Sequence, residues 1–180
     1  MDTSDPDITF SEQGHCNHCT DYFNRITHLT YHGERSDRLL EALVEKIRRS
    51  GKGKDYDCVT GVSGGVDSSY TTYILKQLGL RPLAVHMDNG WNSDIAVKNI
   101  KNLARILNID YQSVVLDWDE FRDLQLAFLR ASVPEIETPT DMAIPAALHK
   151  VAADHGLRYV ISGGNYATEG ILPAAWHYNA

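Results

Sequence analysis

Residues 58–79 constrain the fold of this chain more than any other stretch of its sequence. An apolar run of strand-forming residues ends at Val62, a Ser-Gly-Gly turn follows, and a helix-compatible segment runs from Asp67 to Gly79. In a strand, tight loop and helix of this kind, the loop amides and the first free NH groups of the helix point at one spot. The helix dipole makes that spot attractive to anions. The stretch therefore predicts a phosphate-binding turn in an α/β protein.

The residue types in the loop support this interpretation. Glycines let a backbone bend and approach a ligand closely, and serine hydroxyls add hydrogen-bond donors. The expected nucleotide-binding positions of the loop are Ser63, Gly64, Gly65, Val66, Asp67, Ser68 and Ser69. The loop is not of the Walker type, because Val66 and Asp67 stand where that motif has Gly and Lys.

Asp67 carries a further implication, since a carboxylate beside a phosphate chain would repel it unless a cation lies between them. We therefore expect Asp67 to hold Mg²⁺. The alternative is a plain Gly-Ser turn in which Asp67 only caps the helix.

The rest of the chain alternates between strand and helix patterns, which predicts an α/β fold: an open, doubly wound parallel sheet with helices on both faces. Strands are predicted at 57–62, 83–87, 111–116 and 159–162. Ser93 and Thr140 are expected to cap helices. Two sets of apolar residues at helical spacing are expected to face the core: Leu39, Leu40, Leu43, Val44 and Ile47 in one helix, and Trp118, Phe121, Leu124 and Phe128 in another.

Polar clusters follow several of the predicted strands. Ligands of open parallel sheets bind beyond the carboxyl ends of the strands, so these clusters are expected to meet in one crevice. Asp88 follows the second strand, and Gly163, Gly164 and Asn165 follow the fourth. We predict that these four residues bind the nucleotide together with the loop. For Asp88, a simple Asp-Asn-Gly turn is an equally good interpretation.

The cysteines predict a metal site only weakly. Cys16 and Cys19 have the spacing of two zinc ligands on one knuckle, but a tetrahedral Zn²⁺ needs four ligands. His15 and His18 are possible completions, although neither has the usual ligand geometry so close to the cysteines. We therefore divide the chain into residues 1–54, an N-terminal segment with half a zinc knuckle and an amphipathic helix, and residues 55–180, a nucleotide-binding α/β domain.

The composition and charge limit the expected partners and location of the protein. The chain has 180 residues, 43% of them hydrophobic, and a formal net charge of −7. The negative net charge argues against a broad nucleic-acid interface. Residues 25–54 are locally basic, and we interpret them as the solvated face of a helix. The sequence shows no membrane-spanning run and no signal peptide, so a cytoplasmic location is expected.

The motif Ser-Gly-Gly-x-Asp-Ser at residues 63–68 resembles the pyrophosphate loop (PP-loop) of the N-type ATP pyrophosphatases. This resemblance implies ATP with its β and γ phosphates in the loop and a substrate oxygen that attacks the α phosphate. Pyrophosphate then leaves an adenylated intermediate. It also implies catalytic roles for Ser63 and Asp67.

A wider resemblance involves five further segments in order. They are GHCNHC, a basic helix, VHMDNGW, TPTDMAIPAALHK and ISGGNYATEG. This order is similar to that of the N-acetyl sugar amidotransferases of surface-polysaccharide and lipopolysaccharide biosynthesis, the WbpG and PseA type. The resemblance implies conversion of an acetamido sugar, expected to be nucleotide-linked, to an acetamidino sugar. It further implies a glutaminase subunit that supplies ammonia, together with a cyclase-like subunit.

Two alternatives remain open. One is a tRNA thiolase of the same loop family, which would need a catalytic cysteine and a basic surface. The other is an ATP-binding module without turnover. Members of the resembled family extend further at both ends, so the chain is expected to be truncated, without its C-terminal acceptor region. Residues 171–178 are then expected to expose apolar surface.

Overall fold

The computed structural model describes residues 1–133, 135–171 and 173. Its strands are β1 (Cys58–Gly61), β2 (Pro82–Asp88), β3 (Tyr111–Val115) and β4 (Val160–Ile161). Its helices are α1 (Asn17–Leu29), α2 (Gly33–Ser50), α3 (Val66–Gln77), α4 (Asp94–Leu107), α5 (Trp118–Ala131), α6 (Thr138–Asp154) and α7 (Tyr166–Glu169). No helix in these ranges is long and apolar enough to cross a membrane. Residues 171–178 are the segment expected to be apolar and exposed, and most of them lie outside the described part.

The four strands form one parallel sheet in the order β3-β2-β1-β4. In the central strand β1, Val59 pairs with Leu83 of β2 on one side and with Val160 of β4 on the other. The strand order reverses between β1 and β4, and in open sheets such a reversal opens a crevice at the carboxyl ends of the strands. The predicted doubly wound α/β fold is confirmed.

Helices pack on both faces of the sheet. Successive residues of a strand point to opposite faces, so neighbouring residues of β1 contact different helices. Val59 packs with Leu148 and Val151 of α6 on one face. The preceding residue, Cys58, is fully buried on the other face, where it packs with Leu75 of α3 and with two residues of α2. β1 is therefore buried on both faces, as is usual for a central strand of a parallel sheet.

Several helices differ from the sequence prediction. In α2 only Val44 and Ile47 are buried, while Leu39, Leu40 and Leu43 remain exposed. The predicted wide apolar stripe of this helix was therefore wrong over its first half. Helix α1 was not predicted at all, because its sequence is polar and shows no buried face.

Two further corrections concern α5 and α6. Phe121 is buried in α5, but Trp118 and Leu124 are 41% and 47% exposed, so the prediction that both lie in the core was wrong. Helix α6 begins at Thr138 and has Glu137 as its N-cap. Thr140 lies inside its first turn and does not cap it, because Pro139 already provides the fixed φ that suits a helix start.

The chain divides into two compact units. One consists of residues 1–40 and 164–180, and the other of residues 41–163. The predicted boundary at residue 54 differs from this division. The physical reason is that the second half of α2 packs into the core of the sheet through Val44 and Ile47.

An ion pair between the buried Asp57 and the half-exposed Arg81 holds the loop before β1 to the loop before β2. Asp57 is 1% exposed, and its carboxylate accepts hydrogen bonds from the backbone NH of Arg81 at 2.8 Å and from the guanidinium group at 2.7 Å. The same guanidinium group donates to the carbonyl oxygens of Gly51 and Lys54. The hydrogen bond with Asp57 raises the pKa of Arg81 above its ordinary value. This network fixes the amino ends of the two central strands.

We predict that Asp57→Asn lowers the free energy of unfolding by about 2 kcal/mol, since charged hydrogen bonds of this kind contribute roughly 1.5–3 kcal/mol. Asp55→Asn is the matched control, because Asp55 is exposed two residues away, and it should change stability by less than about 0.5 kcal/mol. Urea denaturation followed by circular dichroism measures both variants. Equal stability of the two variants would contradict the role given to this ion pair.

Candidate functional site

A crevice of about 330 Å³ lies at the carboxyl edge of the sheet. The ends of β1, β2 and β4 and the first turns of α3 and α6 contribute its walls. Ser63, Ser68 and Gly163, which were predicted as site residues, line it. The structure thus brings the loop after β1 and the end of β4 to the same cavity, as the strand reversal requires.

Gly64 positions the loop against α4. Its φ angle is +78°, a conformation that favours glycine, and a Cβ at this position would lie 2.5 Å from the carbonyl oxygen of Ala96. The side chain of Asn99 donates a hydrogen bond to the carbonyl oxygen of Gly64 at 3.0 Å. The loop backbone can take this path only because residue 64 has no side chain.

The start of α3 presents free backbone donors. Its N-cap is Gly65, which has no side chain to accept from the first turn. Within the described ranges, the NH groups of Gly64, Val66, Asp67 and Ser68 have no hydrogen-bond acceptor. Together with the helix dipole, these NH groups can bind an anion such as a phosphate chain.

The serines of the loop divide into two groups. The hydroxyl groups of Ser63 and Ser68 lie 3.2 Å apart, and both residues line the crevice. The hydroxyl of Ser69 donates to the carbonyl oxygen of Gly65 at 2.7 Å, and the hydroxyl of Ser68 donates to the same oxygen at 3.3 Å. Ser63 and Ser68 lie at the crevice, where a ligand can bind their hydroxyl groups, while Ser69 stabilises the helix start.

Asp67 and Asp88 differ in how free their carboxylates are. Asp67 is exposed, and in the described part of the chain no side chain forms an ion pair or hydrogen bond with its carboxylate. Asp88 accepts from the backbone NH of Gly90 at 2.9 Å and from the side chain of Asn92 at 2.7 Å. This geometry matches the Asp-Asn-Gly turn that was the alternative interpretation of Asp88.

The end of β4 approaches the loop closely. A Cβ at Gly163 would lie 2.9 Å from the backbone nitrogen of Ser68, so glycine is required at this contact as well. Gly164 and Asn165 belong to the other compact unit. The side chain of Asn165 accepts from the NH of Thr168 and caps α7. Nucleotide binding by Gly164 and Asn165 stays a prediction.

The sequence interpretation missed several residues that line the crevice, among them His86, Asn89, Asn92 and Thr140. His86 is 5% exposed, its Nδ1 lies 3.0 Å from the carbonyl oxygen of Val62, and its Nε2 is buried without a partner in the described structure. Its position near the end of β2 could have indicated it. Thr140 could not have been found, because only the packing of α6 brings it to Asn89, which donates to its hydroxyl at 3.3 Å.

In the described structure, none of the three cysteines is among the residues that line the crevice. Cys58 is at the start of β1, the end of the strand opposite the loop, and burial raises the pKa of its thiol to about 12. Cys16 and Cys19 belong to the other unit, with their sulfur atoms 3.4 Å apart, and the backbone NH of Cys19 lowers the pKa of Cys16.

The zinc prediction gains no further ligands from the structure. The described residues contain no group of three or more His, Cys, Asp or Glu side chains that could hold a metal. Nε2 of His18 is taken by the carboxylate of Asp5 at 2.5 Å. Cys16 and Cys19 can supply two thiolates, and zinc binding stays a prediction.

A parallel sheet whose central strand runs through Ser-Gly-Gly-Val-Asp-Ser into the uncapped start of a helix defines a PP-loop ATPase, of the adenine nucleotide α-hydrolase type. Residues 36–128 match the family model described as NAD synthase, and the chain belongs to the NAD synthase family. Members of this family use ATP and Mg²⁺.

Several known proteins are similar to parts of this chain. A tRNA-specific 2-thiouridylase, MnmA, of Helicobacter hepaticus is 32% identical over 112 residues, which are 57% of this chain and 32% of that protein. The NH3-dependent NAD synthetase of Campylobacter jejuni shares the fold with a TM-score of 0.51 and 18% identity, over 73% of this chain and 57% of that one. The glutamine-dependent NAD+ synthetase of Acinetobacter baumannii, in complex with ADP, shares the fold with a TM-score of 0.56 and 22% identity. The match covers 69% of this chain and 24% of that one. The chain spans about a third of the length of the first curated relatives that it matches.

We predict that Gly64→Ala destabilises the protein and abolishes ATP binding, because the added Cβ meets the backbone of Ala96. Gly156→Ala is the matched control: Gly156 also has a positive φ, +63°, but nothing lies within 4 Å of its Cβ position. The control should cost about 1–2 kcal/mol from its backbone conformation alone. Gly64→Ala should cost about 1–3 kcal/mol more from overpacking. Thermal unfolding and calorimetric titration with MgATP test both effects, and normal ATP binding by Gly64→Ala would refute the role of this contact.

We also predict that iodoacetamide at pH 8 leaves Cys58 unmodified in the folded protein while it alkylates the exposed Cys19. The reason is that a buried thiol with a pKa of about 12 holds almost no thiolate at pH 8. Peptide mass spectrometry gives the modified positions, and modification in urea serves as the control in which Cys58 should react. Rapid alkylation of Cys58 in the native protein would contradict its buried state.

Proposed function

We propose that this chain is the ATP-binding part of an amidotransferase that adenylates the acetamido oxygen of an N-acetyl sugar and replaces it with ammonia. One observation carries the ATP-dependent step: in the described structure, four backbone NH groups around the start of α3 have no hydrogen-bond acceptor, and the hydroxyl groups of Ser63 and Ser68 lie 3.2 Å apart in the same loop. The sequence resemblance of the motifs around the loop supports the choice of acceptor. The protein is proposed to act in the cytoplasm, in lipopolysaccharide or related glycan biosynthesis.

In this proposal the loop binds the phosphate tail of ATP. The NH groups of Gly64, Val66 and Ser68 donate to the β and γ phosphates, and the hydroxyl groups of Ser63 and Ser68 add further donors. These donors are already in position, because the contact between Gly64 and α4 fixes the loop backbone. The departing pyrophosphate would therefore be stabilised without rearrangement of the loop.

The residues of the loop also fit a magnesium ion. Mg²⁺ prefers oxygen ligands, and Asp67 offers an exposed carboxylate that no cation of the described residues neutralises. The ion would offset the charge of the phosphates and polarise the bond to the leaving group. Asp67 is thus proposed as the magnesium ligand.

The chemistry of the acceptor explains why ATP is needed. An amide carbonyl is a poor electrophile, and its oxygen is a poor leaving group. When the amide oxygen attacks the α phosphate, the bond to pyrophosphate breaks and the oxygen becomes part of an AMP ester. Ammonia then adds to the former carbonyl carbon, the carbon–oxygen bond breaks, and AMP leaves with the oxygen. The product is the acetamidino sugar, and the site must exclude water to prevent hydrolysis back to the amide.

The ammonia is proposed to come from a separate glutaminase subunit, assisted by a cyclase-like subunit. The sequence shows no nucleophile elbow of its own. One structural neighbour is a glutamine-dependent NAD+ synthetase, which supports an ammonia-based reaction on this fold.

A tRNA thiolase is the second candidate, and the 32% identity to a tRNA-specific 2-thiouridylase favours it. A thiolase of this kind would use a cysteine in the crevice. Cys58 cannot serve, because it is buried at the opposite end of β1 and keeps its proton at neutral pH. The order of the motifs around the loop is similar to that of the sugar amidotransferases, and for this reason the amidotransferase is the preferred proposal.

We predict that Asp67→Asn lowers pyrophosphate release at least a hundredfold, because the variant loses the charge that holds magnesium, and metal ligation contributes several kcal/mol to transfer reactions. The measurement is pyrophosphate release in the presence of MgATP, ammonia and an N-acetyl sugar. Asp94→Asn is the matched control, since Asp94 is also an exposed first-turn acid, on α4. Release that requires tRNA and a sulfur donor would instead support the thiolase. Tight ATP binding without any release would indicate a non-catalytic module.

A further inference from the structure

Two tryptophans line a second cavity beside the nucleotide crevice. This cavity has a volume of about 450 Å³, within the usual range of small-molecule sites, roughly 300–1,000 Å³. Trp91 and Trp118 are 64% and 41% exposed, and both lie in the same compact unit as the loop. Aromatic side chains this large rarely remain exposed side by side without a ligand or partner.

The two indole rings are held in place by specific contacts. The Nε1–H of Trp91 donates to the side chain of Gln125 at 2.5 Å, and its backbone NH donates to the side chain of Asn89. Trp118 packs directly under Gly90, whose Cβ position would lie 2.7 Å from the indole ring. Because Gly90 has a φ of +82° and no side chain, the turn after β2 can rest on this ring. The cavity walls are therefore pre-formed.

Asn89 joins this cavity to the nucleotide crevice. It lines both cavities, and its side chain reaches Thr140 at the crevice side. A ligand in the tryptophan cavity would consequently lie next to the nucleotide, with Asn89 between them. The acceptor of an adenylation reaction must lie beside the nucleotide, and this cavity meets that requirement through Asn89.

The shape and polarity of the cavity indicate which ligand it takes. The rings of Trp91 and Trp118 meet at 71°, with centroids 5.4 Å apart, so a flat nucleobase cannot be sandwiched between two parallel faces. A pyranose ring can instead place its CH groups on one aromatic face and the edge of the other. The side-chain NH2 group of Gln125 and the carboxylate of Glu137 are suitable partners for sugar hydroxyls, and the exposed Arg122 suits a phosphate.

We propose that the cavity formed by Trp91 and Trp118 is the acceptor site and binds the pyranose ring of a nucleotide-linked N-acetyl sugar. The inference rests on the proposed function, adds the residues that recognise the acceptor, and places the acceptor site within this chain, whereas the resemblance predicted an acceptor region outside it. The methyl of the acetyl group would contact the apolar wall, which includes Leu126, Leu129 and Ile136. The amide oxygen would point past Asn89 toward the nucleotide.

The test uses the indole NH signals of ¹⁵N-labelled protein, assigned with Trp91→Phe and Trp118→Phe. UDP-linked N-acetylglucosamine, N-acetylgalactosamine and N-acetylmannosamine are titrated in turn, with UDP alone as the ligand control. At least one sugar nucleotide should shift both indole signals, and UDP alone should shift neither. Trp91→Ala should weaken that binding at least tenfold. Tyr73→Ala, which removes a similarly exposed aromatic ring on α3 outside the cavity, should leave it unchanged.

Three results would overturn the proposal: no sugar nucleotide shifts either indole, UDP alone reproduces the shifts, or a uridine-containing oligoribonucleotide shifts them while the sugars do not. Calorimetric titration with MgATP on the same samples separates failure of the acceptor site from failure of the proposed function. Asp67→Asn should lose ATP binding but keep the indole shifts caused by the sugar. Normal ATP binding with unshifted indoles would reject the acceptor site alone.

Discussion

The close approach of backbone to backbone around the loop is the constraint on which the rest of the site depends. Gly64 lies against the carbonyl group of Ala96, and Gly163 lies against the nitrogen of Ser68, at distances that no Cβ would permit. These two contacts draw α4 and the end of β4 onto the first turn of α3. The amides of that turn can remain unpaired because the surrounding backbone holds them in place, rather than because they are part of a regular structure. Anion binding is the chemical use of such a turn.

The sheet explains why the contacts fall at this point. β1 lies between β2 and β4, and the strand order reverses beside it, so the loops after β1 and β4 separate above the sheet and leave a crevice. The ion pair of the buried Asp57 with Arg81 fixes the opposite end of the same strands. Rigid strands anchored at one end and open at the other provide a firm base for a ligand site. The second cavity extends this edge through Asn89, so nucleotide and acceptor would be held by consecutive turns of one sheet.

Much of the fold was predictable from the sequence, since its signals are local. The strand alternation, the glycine that ends α3 at Gly79 with a φ of +75°, and the Ser93 cap of α4 all follow from neighbouring residues. The expectations that failed needed information about packing. Leu39, Leu40 and Leu43 have helical spacing but no apolar neighbour to cover them in the described structure, and Trp118 has core-like spacing yet lies at a cavity. Periodicity shows which residues share a face, but it does not show what that face meets.

The sequence by itself determined the chemistry of the loop. The order of glycine, serine and aspartate after an apolar strand predicts an anion-binding turn from adjacent residues alone. Only the tertiary structure decided which groups surround that turn. It placed Asp88 in an Asp-Asn-Gly turn, left the carboxylate of Asp67 without a partner among the described residues, buried Cys58 at the far end of the sheet, and brought Thr140 and Asn89 together across more than fifty positions of the chain. The physical reason is that hydrogen bonds within a turn are set by adjacent residues, whereas burial and long-range contacts are set by how helices pack on the sheet.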